Sequence, residues 1–233
     1  MTRASTTSAV PLACWNCSAV LKSPLYCPEC RRIQPLPPAT DYFAAFDLPR
    51  KLGIDVADLE KRFHALSWKL HPDNFTRASE YERQLSLEQS SLLNDSYRTL
   101  REPIARVEYL LALEGMRKEG EKKQQAPPDL LEEVFELNES LDELRAARRA
   151  GGNDGEMAAL RGRLESAQHS FESKLAAVDA ELESVFGEWD AAVDAGAADD
   201  ARKTIMARMN EILNRRSYVR NLVANVRSEL AEA

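Results

Sequence analysis

Two runs of helical periodicity meet at a proline, and that junction constrains the fold more than any other feature of the chain. From Asp55 to Leu70, the apolar residues Val56, Leu59, Phe63, Leu66 and Leu70 recur on one helix face, with Lys61, Arg62 and Lys69 off that stripe. Asp55 is placed to cap this helix. Pro72 ends it, because proline disfavours helix in the residue before it. A second run from about Glu80 to Arg101 can turn Leu85, Leu92, Leu93, Tyr97 and Leu100 towards the first. Between them stands His71-Pro72-Asp73, which by spelling alone reads as a turn with Asp73 capping whatever follows. Between two amphipathic helices it becomes the loop of an antiparallel hairpin.

The four cysteines define a second element. Cys14-Trp15-Asn16-Cys17 and Cys27-Pro28-Glu29-Cys30 are two Cys-x-x-Cys pairs separated by nine residues. Each pair presents two thiolates from one tight turn, and two facing turns make a closed tetrahedral set suited to structural zinc. A thioredoxin-like redox pair or an iron-sulfur site are the competing readings, and the strand-helix-strand pattern of a redox motif is missing around these pairs. Trp15 is expected to pack over the small site rather than mark a partner surface. Gln34-Pro35-Leu36-Pro37-Pro38 reads as a stiff linker.

With 233 residues, 44% apolar and 30% charged, the chain has the composition of a mostly helical protein with room for one or two domains beside a small module. No apolar run approaches membrane-spanning length, so no membrane partner is expected. The net charge of -7 is concentrated at the C-terminal end, where residues 127–233 carry 13 basic and 22 acidic side chains. That excess argues against nucleic acid as the main partner, because phosphate binding needs a basic face. The residues before Cys14 show neither an apolar core nor an arginine run, and the cysteines are confined to one short segment. A reducing compartment is therefore expected, the bacterial cytoplasm first and the mitochondrial matrix as the alternative.

The hairpin with its His-Pro-Asp loop, preceded by Asp41-Tyr42-Phe43-Ala44-Ala45-Phe46-Asp47-Leu48-Pro49, resembles a J-domain. More narrowly it resembles the HscB family, on three stretches: Asp41-Tyr42-Phe43, Leu92-Leu93-Asn94-Asp95-Ser96-Tyr97-Arg98-Thr99-Leu100, and Pro103-Ile104-Ala105-Arg106-Val107-Glu108-Tyr109-Leu110-Leu111. The resemblance implies a co-chaperone whose loop docks on a DnaK-type chaperone, called HscA in bacteria, and stimulates its ATP hydrolysis. That role would fall to His71, Pro72 and Asp73, with Lys61, Arg62 and Lys69 as electrostatic support. Some members of the family carry a similar pair of cysteine knuckles and shorter ones do not.

After a charged, poorly patterned stretch from Arg117 to Gln125, Pro127-Pro128-Asp129 starts a helix that Gly151-Gly152 ends. Leu130, Val134, Leu137, Leu141 and Leu144 form its core stripe, whereas Leu131 and Phe135 lie on a flank among Glu132, Glu139 and Asp142. Exposed apolar side chains ringed by carboxylates suit a partner surface; packing under another helix of the same bundle is the plain alternative. Two more helical patterns, about Met157–Ala192 and Ala201–Ala231, complete an antiparallel bundle of three. In the HscB family such a bundle binds IscU, the scaffold on which iron-sulfur clusters are built. The resemblance carries that face onto Leu131, Glu132, Phe135, Glu136, Glu139 and Glu143, with Tyr218 as the candidate aromatic from the last helix. Glu132 stands where the family often has methionine, which makes the apolar patch smaller here.

His64 and His169 are isolated on helices, and no phosphate loop, nucleophile elbow or metal-binding histidine pair accompanies the many carboxylates. No enzyme is expected. The Arg145–Arg149 cluster reads as the basic last turn of a helix. The expected fold is mainly α: a four-cysteine zinc-binding module at 10–34 with Cys14, Cys17, Cys27 and Cys30 as ligands, a J-domain hairpin at 40–115, and an antiparallel three-helix bundle at 127–233. Its expected work is to stimulate a DnaK-type ATPase and deliver the scaffold to it. A general J-protein gripping unfolded clients, or a zinc-ribbon adaptor binding nucleic acid through Arg31 and Arg32, are the alternatives.

Overall fold

The computed structural model describes residues 13–21, 25–37, 40–117 and 128–231. Residues 10–12 and 22–24 of the expected metal module, Pro38 of the linker, residues 118–125 of the charged stretch, Pro127 and residues 232–233 lie outside the described residues. The chain divides into two compact units, residues 1–110 and 111–233. Helices dominate both, and the described residues hold β-pairing only as the isolated bridges Ala13–Val20 and Tyr26–Ile33.

In the first unit, α1 (Tyr42–Ala45) is capped by Asp41, whose Oδ1 accepts the Ala44 amide and whose Oδ2 accepts from Arg50 Nε at 2.8 Å. The helix α2 (Val56–Leu70) starts as expected at Asp55, which accepts from the amides of Ala57 and Asp58. The helix α3 (Glu80–Arg101) starts at a full capping box formed by Ser79 and Glu82. Phe43, Leu52, Leu59, Leu70, Leu93 and Leu100 are buried, and Phe63 stacks on Tyr97 with ring centroids 4.3 Å apart. Val56 departs from the expected stripe: it is the first helical residue and stands 43% exposed at the mouth of the hairpin.

The two stretches that bracket the hairpin in sequence hold its base. From α4 (Pro103–Leu113), Tyr109 stacks on Tyr42 at 4.1 Å and its hydroxyl accepts the Tyr42 amide at 2.9 Å. Burial pushes the Tyr109 phenol up to about 12, so it stays neutral. Arg106 is 3% exposed and donates to the carbonyls of Leu100 and Leu52, tying the end of α3 to the loop before α2.

The second unit is a bundle of α5 (Leu131–Ala150), α6 (Asp154–Asp194) and α7 (Asp199–Ala231). Its start differs from the expectation, because Pro128–Leu130 form a 3-10 turn and regular α-helix begins at Leu131. Gly151 ends α5 with φ 69°, a left-handed cap that glycine adopts without a Cβ penalty. Asn153 then caps α6 by accepting the Glu156 amide. Leu137, Leu141 and Leu144 pack with Leu160, Leu164, Phe171, Val219, Val223 and Val226 into one core. The Arg145–Arg149 cluster does more than face a helix dipole: Arg145 and Arg148 converge on Glu229, a carboxylate only 12% exposed on α7.

Candidate functional site

The His-Pro-Asp loop is held from below and left open above. Pro72–Phe75 form a 3-10 turn that His71, not Asp73, caps, its Nδ1 accepting the Asp73 amide at 3.3 Å. Phe75 is buried, and the Asn74 side-chain amide donates to the Trp68 carbonyl at 2.6 Å, pinning the turn to the last turn of α2. Those anchors leave the His71 and Asp73 side chains 56% and 86% exposed.

The expected basic support divides. Lys61 is exposed on α2, whereas Arg62 donates to Asp58 at 2.7 Å and to the Phe46 carbonyl at 3.1 Å, which joins α2 to the end of α1. Lys69 lies over the Tyr26 ring, 5.7 Å from its centroid. Sequence periodicity passed over Trp68, which is 81% exposed one turn before the loop. With Lys61, His64, Ala65 and His71 it makes an exposed ridge along α2, since residues three and four apart share a helix face. An indole in water beside a polar loop is the one signal that could have marked it.

In the second unit, Leu131 and Phe135 are 55% and 73% exposed, so neither packs beneath another helix of the bundle. Glu132, Glu136 and Glu139 are exposed beside them, and Glu143 is ion-paired with Arg163. Tyr218 has a different setting: it is partly buried against the bundle core.

The cysteine segment consists of two near-identical knuckles. In the first, the Ser18 amide returns to the Cys14 carbonyl and the Cys14 amide to that of Ala19; in the second, Arg31 and Cys27 repeat the pattern with the carbonyls of Cys27 and Arg32. Ser18 and Arg31, each directly after the second cysteine of its pair, have left-handed φ values of 59° and 60°. The four Sγ atoms lie within 4.8 Å of one another, Cys14 to Cys30 at 3.5 Å and Cys17 to Cys27 at 3.7 Å. A tetrahedron of Zn–S bonds near 2.3 Å has edges of about 3.8 Å, so the donor set fits a four-thiolate metal.

Thiol electrostatics agree with that use. Burial of Cys14 is outweighed by the Cys17 and Asn16 amides aimed at its sulfur, which draw it down to about 6. At Cys17 the lowering by the Ala19 backbone is overcome by burial and by the surrounding thiols, which push it up to about 12. A cation among them removes this competition by stabilising all four thiolates. Trp15 keeps its indole N–H on the Ile33 carbonyl at 2.7 Å but is 49% exposed, so it is tied to the module without being buried over it.

The first unit thus carries a helical hairpin with an exposed His-Pro-Asp loop, and the second carries a bundle of three helices. No protein-family model matches the chain. Against curated proteins, the chain is 36% identical over 164 residues to a "Co-chaperone protein HscB homolog" of Vibrio parahaemolyticus, covering 70% of this chain and 88% of that one. It is also 36% identical over 134 residues to the human "Iron-sulfur cluster co-chaperone protein HscB". That match spans 56% of this chain and 57% of the human protein, little more than half its length. The crystal structure of human co-chaperone protein HscB superposes with a TM-score of 0.60 at 26% identity, covering 95% of this chain and all of that one. The chain belongs to the HscB co-chaperone family. No helix among the described residues is long and apolar enough to cross a membrane.

Proposed function

We propose that this chain is a co-chaperone of iron-sulfur cluster assembly that couples a DnaK-type, HscA-like ATPase to the scaffold IscU. The observation that supports this best is a pairing on one chain. The first unit exposes His71 and Asp73 with the Trp68 ridge, and the second exposes Leu131 and Phe135 among carboxylates. The division of labour would follow a zinc module at 10–34, a J-domain at 40–115 and a scaffold-binding bundle at 127–233.

The J-domain would meet the chaperone through His71, Pro72 and Asp73, assisted by Lys61 and Trp68; Arg62 and Lys69, already engaged within the unit, would contribute mainly their positive field. An exposed tryptophan beside a polar loop has the composition of an interface hot spot. The bundle would hold the scaffold through Leu131 and Phe135, with Glu132, Glu136, Glu139 and Glu143 choosing a basic partner, and Tyr218 offering only its outer edge. Cys14, Cys17, Cys27 and Cys30 would hold zinc, which cross-links two turns and leaves no open coordination position. Tethering then raises the local concentration of scaffold at the chaperone, and the loop times its capture. Hydrolysis belongs to the partner.

The test is the single-turnover ATPase rate of the matching chaperone with and without this protein, each with and without scaffold. Synergy between the two supports the reading. Stimulation that ignores the scaffold would leave a general J-protein, and a salt-sensitive shift with DNA in place of stimulation would leave a nucleic-acid adaptor.

A further inference from the structure

The cysteine knuckles are not an appendage on a linker; the segment that leaves them grips the hairpin. Two residues after Cys30, Arg32 reaches Glu82, which is 5% exposed and belongs to the capping box that opens α3. Ile33 is wholly buried. Gln34, 2% exposed, accepts on its carbonyl from the Gln89 side chain two turns further along α3. Its own amide group closes the circuit back to the knuckle, accepting from the Trp15 amide and donating to the Arg32 carbonyl. On the other side Tyr26 lies under Lys69, in the last turn of α2.

The same stretch of α3 holds the end of α2. Ser86 and Ser90 both donate to the Leu70 carbonyl, the residue immediately before His71. Glu82, Ser86, Gln89 and Ser90 are spaced four, seven and eight residues apart, on one helix face. Two of them face the cysteine module and two face the root of the His-Pro-Asp loop. The loop is strung between two helix ends, and each end touches the module.

We propose that the four-cysteine module is a metal-dependent brace for the His-Pro-Asp loop. With metal bound, the knuckles present Arg32, Gln34 and Tyr26 as fixed points that hold the first turns of α3 against the end of α2. Without it, a segment whose buried apolar side chains, among the described residues, are chiefly Leu25 and Ile33 has too little core to keep its shape. The Glu82 and Gln89 side chains then lose their partners, and the loop loses its anchors while the rest of the hairpin stays folded. This rests on the reading of the loop as the chaperone-docking surface, and it assigns metal occupancy as the condition for that surface to be ordered.

The test is hydrogen exchange read by mass spectrometry on the full chain. Zinc-loaded protein is compared with protein stripped by a chelator under reducing, anaerobic conditions, and with zinc-loaded Arg32→Ala. Stripping should accelerate exchange in residues 70–90 at least tenfold, reversibly on adding zinc back, while peptides of α5 and of residues 42–60 keep their rates. Arg32→Ala should retain zinc and accelerate the same residues severalfold, because it removes one grip and leaves the metal site. Acceleration confined to residues 13–34, or spread evenly through the first unit, would overturn the proposal, as would an Arg32→Ala chain indistinguishable from the parent. Chaperone stimulation measured on the same samples separates the two readings. A loaded chain that stimulates although its loop ignores zinc refutes the brace alone, and a zinc-dependent loop without stimulation refutes the co-chaperone reading alone.

Discussion

Replacing Leu131 and Phe135 together by alanine removes the apolar part of the acidic face on α5 while leaving the bundle core untouched. Phe135 is 73% and Leu131 55% exposed. Burying what they expose would take roughly 220 Å² of apolar surface out of water, or about 5.5 kcal/mol at ~25 cal/mol per Å². Side-chain ordering and imperfect desolvation take back roughly half of that in a protein interface, leaving about 2–3 kcal/mol. The scaffold's Kd should therefore rise roughly 30- to 150-fold. The stability of the chain should change by less than about 0.5 kcal/mol, because alanine suits a helix surface and no core contact is lost. Isothermal titration of the scaffold protein into parent and double variant measures the first number, and thermal unfolding of both measures the second. A Kd within threefold of the parent, with an unchanged unfolding midpoint, would refute the assignment of this face. A lowered midpoint would refute the surface placement from which the area was worked.

Three other outcomes are expected. Asp73→Ala should abolish stimulation of the chaperone ATPase without altering scaffold affinity or stability, since the Asp73 side chain is 86% exposed; a stimulated rate equal to the parent's would remove the loop from the mechanism. Trp68→Ala should weaken chaperone coupling about tenfold, or ~1.4 kcal/mol, with the fold intact; a titration of stimulation against co-chaperone concentration that overlays the parent's would show that the ridge is idle. The hydrogen bond from Arg32, with help from Ser79, holds the Glu82 carboxylate below its usual 4.5. A depressed folded value means that its stabilisation is present above the unfolded value and is lost as the pH falls below 4.5. Glu82→Gln should therefore cost about 1 kcal/mol at neutral pH, modest because Arg32 is half exposed, and the difference from the parent should vanish in acid. Denaturant unfolding at neutral pH and in acid checks this, and a gap that is constant with pH would refute the pairing.

Much of the architecture was legible in one dimension because helices are local objects. The start of α2 at Asp55 and the limits of α3 at Glu80 and Arg101 follow from a cap, a proline and a 3.6-residue stripe, all within reach of each other along the chain. The flank position of Leu131 and Phe135 followed from the same angular arithmetic, and their exposure agrees with it. So did the cysteine spacing, since a Cys-x-x-Cys turn commits two thiols to one side before any tertiary contact is made.

Side-chain partners across elements were not legible, because nothing in local periodicity reports what stands opposite. Asp73 reads as a cap, but the backbone leaving Pro72 puts the His71 ring in that place and Ser79 before α3. Arg145 and Arg148 read as a helix's basic end until α7 brings Glu229 beside them, and Tyr218 reads as an available aromatic until the bundle core claims one side of it. Gln34 opens what looks like a linker, yet a buried glutamine needs partners, and Gln89 stands 55 residues away in sequence. Short-range chemistry thus settles which helices, turns and thiol pairs this chain makes. Which polar groups meet, and so which surfaces stay open, is settled where distant residues compete for the same buried hydrogen bonds.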